Sequence, residues 1–182
     1  IGTAPESIVT ESLLEEPKVE DGLAVADVER DILKMAVIER HLASGNVGLG
    51  FVKGLGLKRG ALGSSVAHDS HNLVLIGTND DDMLLAAREI ERMRGGLVVV
   101  AEGHVLASLP LPIAGLMSED PFEKVNEGLQ GLLDAAHQLG SSLHDPFMTL
   151  SFLALPVIPA LKLTDKGLVD VTQFRFVPLF ED

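Results

Sequence analysis

The stretch that decides the fold runs Leu73-Val-Leu-Ile-Gly-Thr-Asn-Asp-Asp-Asp82, through Met83, Ala86, Ala87, Ile90 and Met93 at helical spacing, to Gly95-Gly-Leu-Val-Val-Val-Ala-Glu-Gly-His-Val-Leu-Ala-Ser-Leu109. Leu73 to Ile76 is uniformly apolar and short, the pattern of a buried strand. Thr78, Asn79 and Asp80 offer side-chain oxygens to cap a helix, and Asp81 and Asp82 put negative charge on its first turn. Arg92 and Arg94 suit its C-terminal end, and Gly95-Gly96 stops it. Leu97 to Ala101 predicts a second buried strand, and the tight turn at Glu102-Gly103 folds it back into His104 to Leu109 as a hairpin.

Downstream, Asp120 reads as the cap of a second helix with Pro121 at its first position and Glu123 completing a capping box. Phe122, Val125, Leu129, Leu132, Leu133 and Ala136 form its apolar stripe, and Gly140 ends it. Pro146 to Pro156 is too short and too interrupted to span a bilayer and reads as core or as an inter-domain surface, with Phe147, Met148, Phe152 and Leu153 as interface candidates. Phe174 to Phe180 predicts a closing strand. Upstream, residues 32–40 fit either a helix, through Ile32, Met35 and Ala36, or a strand, through Val37, Ile38 and the break at Gly45-Asn46, with the strand preferred, and five glycines within 46–60 predict short strands joined by tight turns. Residues 1–22 form an acidic leader, read as a solvated connector in which Ser7 to Leu14 could make an edge strand. The expected architecture is α/β of the α+β kind: a mixed sheet with two main helices, in a single domain over residues 23–182.

The chain has 182 residues, enough for one sizeable core. With 46% hydrophobic and 23% charged residues it is not a disordered chain. A net charge of −13 repels phosphate backbones and argues against nucleic-acid partners. No apolar run is long enough for a membrane span, and no signal peptide is visible. The absence of cysteine excludes thiolate chemistry and disulfides and points to a cytoplasmic location. A chain that starts at Ile1 reads as a piece processed or excised from something longer.

The chemistry-bearing cluster is His68-Asp69-Ser70-His71-Asn72, which abuts the buried strand at Leu73. Polar groups beside a buried strand need hydrogen-bond partners or a ligand, because leaving one unpaired costs about 1–3 kcal/mol. Both a structural hydrogen-bond network and a contact surface for a ligand or partner fit this cluster. His68 and His71 have metal-ligand spacing, but a third ligand is wanting, since Asp69 cannot easily converge with both. Ser64, Ser65 or Ser70 with His68 and Asp69 would be a triad packed too closely in sequence, and no Gly-x-Ser-x-Gly elbow is present. Gly48-x-Gly50-x-x-x-Gly54 has one residue too many for a dinucleotide fingerprint.

Five blocks in register identify a family. Gly48-Leu-Gly-Phe-Val-Lys-Gly-Leu-Gly-Leu-Lys-Arg-Gly-Ala-Leu62, Ser65-Val-Ala-His-Asp-Ser-His-Asn72, Gly77-Thr-Asn-Asp80, Leu109-Pro-Leu-Pro-Ile-Ala-Gly-Leu-Met-Ser118 and Asp145-Pro-Phe-Met-Thr-Leu-Ser-Phe-Leu-Ala-Leu-Pro-Val-Ile-Pro159 resemble the C-terminal region of bacterial adenine deaminases of the amidohydrolase superfamily. The resemblance implies a parent enzyme that hydrolyses adenine to hypoxanthine and ammonia at a manganese or iron centre on a preceding barrel domain. This chain has no room for a barrel of about 250 residues, so no metal ligand carries over to it. What the resemblance implies here is a lid or substrate-contact role for His68, Asp69, Ser70, His71, Asn72, Lys58 and Arg59 over adenine, with Gly56, Gly60 and Gly63 letting the loop approach the barrel mouth. The alternatives are a non-catalytic assembly module, expected to form a homo-oligomer or to hold the barrel, and a free-standing metallohydrolase. On the first reading the chain alone is inactive and binds no metal.

Overall fold

A computed structural model describes residues 1–4 and 7–181. The strands are β1 (Lys18–Glu20), β2 (Leu23–Val25), β3 (Ile32–Ile38), β4 (Val47–Lys53), β5 (Ala61–Ser64), β6 (Leu73–Gly77), β7 (Gly96–Ala101), β8 (His104–Pro110), β9 (Leu161–Thr164), β10 (Gly167–Asp170) and β11 (Arg175–Phe176). The helices are α1 (Asp80–Met93), α2 (Phe122–Gln138) and α3 (Pro146–Leu153). Six strands form the main sheet in the order β4-β3-β6-β5-β7-β8, with every neighbouring pair antiparallel. Smaller sheets are the β1–β2 hairpin and β11-β10-β9.

Both faces of this sheet are covered, which is why β6 and β7 read as continuous apolar runs and not as alternating ones. On one face Met83, Ala86, Ile90 and Met93 of α1 pack on Ala36, Ala61, Leu73, Leu75, Val98 and Val100. On the other, Leu33, Met35, Val37, Leu62, Val74, Ile76 and Val99 meet α2, α3 and the β9–β10 hairpin through Leu132, Leu139, Phe147, Leu150, Leu153 and Leu163. Each large aliphatic side chain buried this way contributes about 1.5–3 kcal/mol. The hairpin sits hard against β4: a Cβ at Gly48 would lie 1.8 Å from the Thr164 carbonyl oxygen.

Strand β3, strand β6, helix α1, strand β7 and the hairpin into β8 follow the sequence reading. Asn79 is the residue that caps α1, accepting from the Asp82 amide at 2.8 Å. Other expectations are corrected. Helix α2 starts one residue late: Pro121 is its cap, without a side-chain bond, and Asp120 instead accepts from Lys124 at 2.8 Å. Ser7 to Leu14 is no strand; Glu11 makes an isolated bridge with Gly2, and Thr10 exchanges backbone bonds with Pro159 and Ala160. The segment 174–180 contains only the two-residue β11, and Phe174, Phe176 and Phe180 are exposed. Residues 46–60 hold a single seven-residue strand and a loop.

The run Pro146 to Pro156 reads from the sequence as core or as an inter-domain surface, and most of it is core. The structure folds its first half into α3, capped by Asp145, and buries Phe147 and Leu153 in this chain's own interior. Of the four interface candidates, Met148 is exposed and Phe152 half-buried. Among the described residues no helix is long and apolar enough to cross a membrane.

Candidate functional site

Antiparallel register gathers four chain segments at one end of the main sheet. Ile38 faces Leu73 across β3–β6 and Val47 across β3–β4. Ser64 faces Leu97, and Gly96 faces Pro110. The connections 39–46, 65–72 and 111–117 therefore emerge side by side, and the β9–β10 turn reaches the same place through Asp165.

Loop 65–72 is braced from several directions. The His68 amide donates to the Ser151 carbonyl of α3 at 2.9 Å, and the His71 amide donates to Ala67 at 2.6 Å. The Ala67 amide donates to His71 Nδ1 at 3.3 Å, which requires that nitrogen to be unprotonated and leaves the hydrogen on Nε2. His41 Nε2 meets the Ser70 carbonyl at 2.8 Å. Arg40 Nε donates to the His71 carbonyl, and its Nη2 donates to Ala114 at 2.8 Å. Asn72 is buried; its amide nitrogen donates to Asp165 Oδ1 at 3.2 Å, while Asn46 donates to Oδ2 at 3.3 Å. Asn72 Oδ1 meets no donor among the described residues. Such an acceptor is what an ordered water or a bound donor satisfies.

The connection 39–46 is itself folded on Glu39. Its carboxylate accepts from the amides of His41, Leu42 and Ser44 and from the Ser44 hydroxyl. Those bonds, the one from the Ser44 amide foremost, hold Glu39 down at about 2. His71 is lowered from its ordinary value, first by burial and then by the neighbouring His68 and Arg40, with Asp69 opposing. It is therefore disposed to be neutral at physiological pH.

The solvent side of this end carries Asp69 and Ser70, both exposed, with His68 and His71 partly exposed. The His68 ring lies 4.8 Å from the Phe152 ring and 6.0 Å from that of His71. Polar loop and apolar α3 face thus form one surface. Lys58 and Arg59 do not belong to it. They precede β5 and loop 65–72 follows it, so four residues, roughly 13 Å of strand, separate them. The Lys58 amide is bonded to Leu139, and Arg59 pairs with Glu102 at 2.9 Å. The flanking glycines serve packing: a Cβ would meet Gly140 at Gly56, Val100 at Gly60, and Ile90 and Leu75 at Gly63.

Ser64 and Ser65 turn their hydroxyls to the backbone carbonyls of Val66 and Gly115, so neither is a nucleophile poised on His68. Among the described residues no three His, Asp or Glu side chains converge to hold a metal. The donor set here does not fit a manganese or iron centre. Arg40, His41, Asn46 and Asp165 are the site residues sequence reasoning missed. Their participation depends on strand register and on a hairpin about ninety residues downstream of the loop, and only the polar break after β3 hinted at it.

Comparison with known proteins gives the family of the chain. The family model for the adenine deaminase C-terminal domain matches residues 7–175. An adenine deaminase of Methanothrix thermoacetophila is 56% identical over 180 residues, covering 99% of this chain and 32% of the relative. Those of Oleidesulfovibrio alaskensis and Dehalococcoides mccartyi are 56% and 52% identical, with 32% and 31% of their lengths covered. The chain thus spans about a third of the curated relatives it matches. With the family model matching nearly end to end, the chain belongs to the adenine deaminase C-terminal domain family.

Proposed function

We propose that this domain supplies a substrate-contact loop, 65–72, to an adenine deaminase whose manganese or iron centre is held by a barrel domain elsewhere in the same polypeptide. The observation that carries the reading is the surface on which the His68 ring, flanked by exposed Asp69 and by His71, adjoins the half-buried ring of Phe152 on α3. Donors, acceptors and an apolar docking edge are what a loop closing over a purine site needs. The relatives' length leaves ample chain for the catalytic part.

Replacing the exocyclic amine of adenine by the carbonyl oxygen of hypoxanthine reverses the hydrogen-bonding character of that purine edge. Groups that favour the intermediate stage raise the rate. On this reading Asp69 accepts from a purine N–H, neutral His71 donates through Nε2 to a ring nitrogen, and closure of the loop limits water. The metal supplies the nucleophile when bound, outside this chain.

The test is steady-state kinetics on His68→Ala and Asp69→Asn in the intact enzyme, with metal content measured on the same samples. The expected result is a thirtyfold to thousandfold loss of turnover, from about 2–4 kcal/mol per lost transition-state bond, with metal retained. Unchanged constants in both variants would refute the contact role. Exposed Met148 beside half-buried Phe152 favours a second, compatible reading, assembly with the barrel or a second copy. Met148→Glu then weakens assembly without touching the isolated fold.

A further inference from the structure

Arg40 is an unusual arginine for a chain this acidic. Its guanidinium is half-buried and, among the described residues, meets no carboxylate. The adjacent Glu39 is occupied by the backbone of 41–44. Arg40 instead spends two donors on neutral carbonyls from separate connections, His71 in one and Ala114 in the other. The planar fork makes this possible, since Nε and Nη2 lie on one edge at fixed spacing.

The turn that receives Arg40 is built for it. Gly115 has φ +76, and a Cβ there would lie 2.7–2.9 Å from Nη2, Cζ and Nη1, so the guanidinium rests flat on the glycine. The turn is tied in its own right to the sheet. Ser65 Oγ donates to the Gly115 carbonyl at 2.7 Å and accepts from the Gly96 amide at 2.8 Å. Arg40 therefore fastens the far end of loop 65–72 to a turn anchored on β7. It does so one residue from the Asn72–Asp165 bond that fixes the loop's exit. Its charge also stands beside His71, where with His68 and His41 it disfavours the imidazolium against the opposing Asp69.

We propose that Arg40 is a positioning residue for adenine turnover: by bridging the His71 and Ala114 carbonyls it holds loop 65–72 in one shape and presents His71 as a neutral Nε2–H donor. This rests on the substrate-contact reading above. Arg40 touches no substrate; it acts through His71. A lysine cannot replace it, because one ammonium on a flexible stem does not reproduce a fixed two-pronged bridge.

Two measurements on Arg40→Gln and Arg40→Lys test this. The first uses this chain alone: amide hydrogen exchange at His71, whose N–H is bonded to Ala67, and ring nitrogen chemical shifts of His71 at neutral pH. Expected are at least tenfold faster exchange at His71 with the Ile76 amide of β6 unchanged, and loss of the single Nε2–H tautomer signature. The second uses the intact deaminase, with His68→Ala alongside. Expected is a roughly tenfold to hundredfold drop in kcat and in kcat/KM together, metal content unchanged, and no rescue by lysine. Unaltered exchange and ring shifts overturn the bridge. A loosened loop with wild-type kinetics, while His68→Ala is impaired, overturns the positioning role and leaves the contact reading standing. Wild-type kinetics in all three variants overturns both.

Discussion

Lys162 gives the fold's most exposed thermodynamic prediction. It lies on β9 with 0% exposure, and its ammonium donates to the Ile8 carbonyl at 2.9 Å; among the described residues it meets no carboxylate. Burial pushes it down from 10.5 to about 8. At 1.36 kcal/mol per pH unit, that drop corresponds to about 3 kcal/mol spent in keeping the charge inside. The sign follows from proton counting. Between pH 8 and 10.5 the unfolded chain holds this proton and the folded chain has lost it, so stability rises with pH there; below pH 8 both are protonated and the penalty is constant. Lys162→Met keeps the volume and removes the charge. It is expected to raise stability at pH 7 by about 2 kcal/mol, after allowing about 1 for the lost bond to Ile8. It should also flatten the profile above pH 8. The window is clean because the sequence has no cysteine and no tyrosine, leaving the other lysines and the α-amine, which cancel in the difference. Urea unfolding at pH 7, 8, 9 and 10, followed by far-ultraviolet circular dichroism since tryptophan is also absent, measures it. Parallel profiles for the two proteins, or a variant less stable at pH 7, would refute the reasoning.

Three further outcomes follow from the packing and the site. Gly48→Ala drives a methyl into the Thr164 carbonyl and should cost about 2–4 kcal/mol in urea midpoint, whereas Gly131→Ala, on α2 with nothing within 4 Å, should gain up to about 1. Asp82 is buried, and although burial pushes its carboxyl up, bonds from Asn79, Gly103 and Glu102 outweigh this and lower it. Asp82→Ala should then cost about 2–3 kcal/mol at pH 7 and lose that difference as acid titrates the wild-type group below about pH 4. The isolated chain, given adenine with manganese or ferrous iron, should release ammonia far below the roughly one per second of an ordinary enzyme; turnover at that rate would place the chemistry here.

What the sequence made legible was whatever local periodicity and capping encode. Asn79 before an acidic turn, five apolar residues at helical spacing and two glycines located α1 to within a residue or two. Helix α3 carried the same Asp-Pro opening as α2 at Asp145-Pro146, but its side chains are apolar nearly all round, so no stripe distinguished it from a buried strand or an interface. The alternation at 174–180 was a false signal: Phe174 and Phe176 share exposure, not a core face. At the candidate site, the cluster 68–72 was legible because its residues are consecutive. Arg40, His41 and Asp165 were not, since only the register of β3 against β6 and the fold-back of the β9–β10 hairpin bring them there. Lys58 and Arg59 lie apart from the loop for the converse reason. Ten and nine residues before His68 in sequence, they are carried to the other end of the sheet by β5.

The central claim, that loop 65–72 acts on the substrate of a centre held elsewhere, is tested most directly by hydrogen exchange on the intact enzyme with and without saturating hypoxanthine, the reaction's product. The account predicts slower exchange at the amides of residues 65–72, alongside protection in the catalytic domain, and no change at Lys58, Arg59 or the β1–β2 hairpin. Protection confined to the catalytic domain, with loop 65–72 exchanging at the same rate in both states, would contradict it.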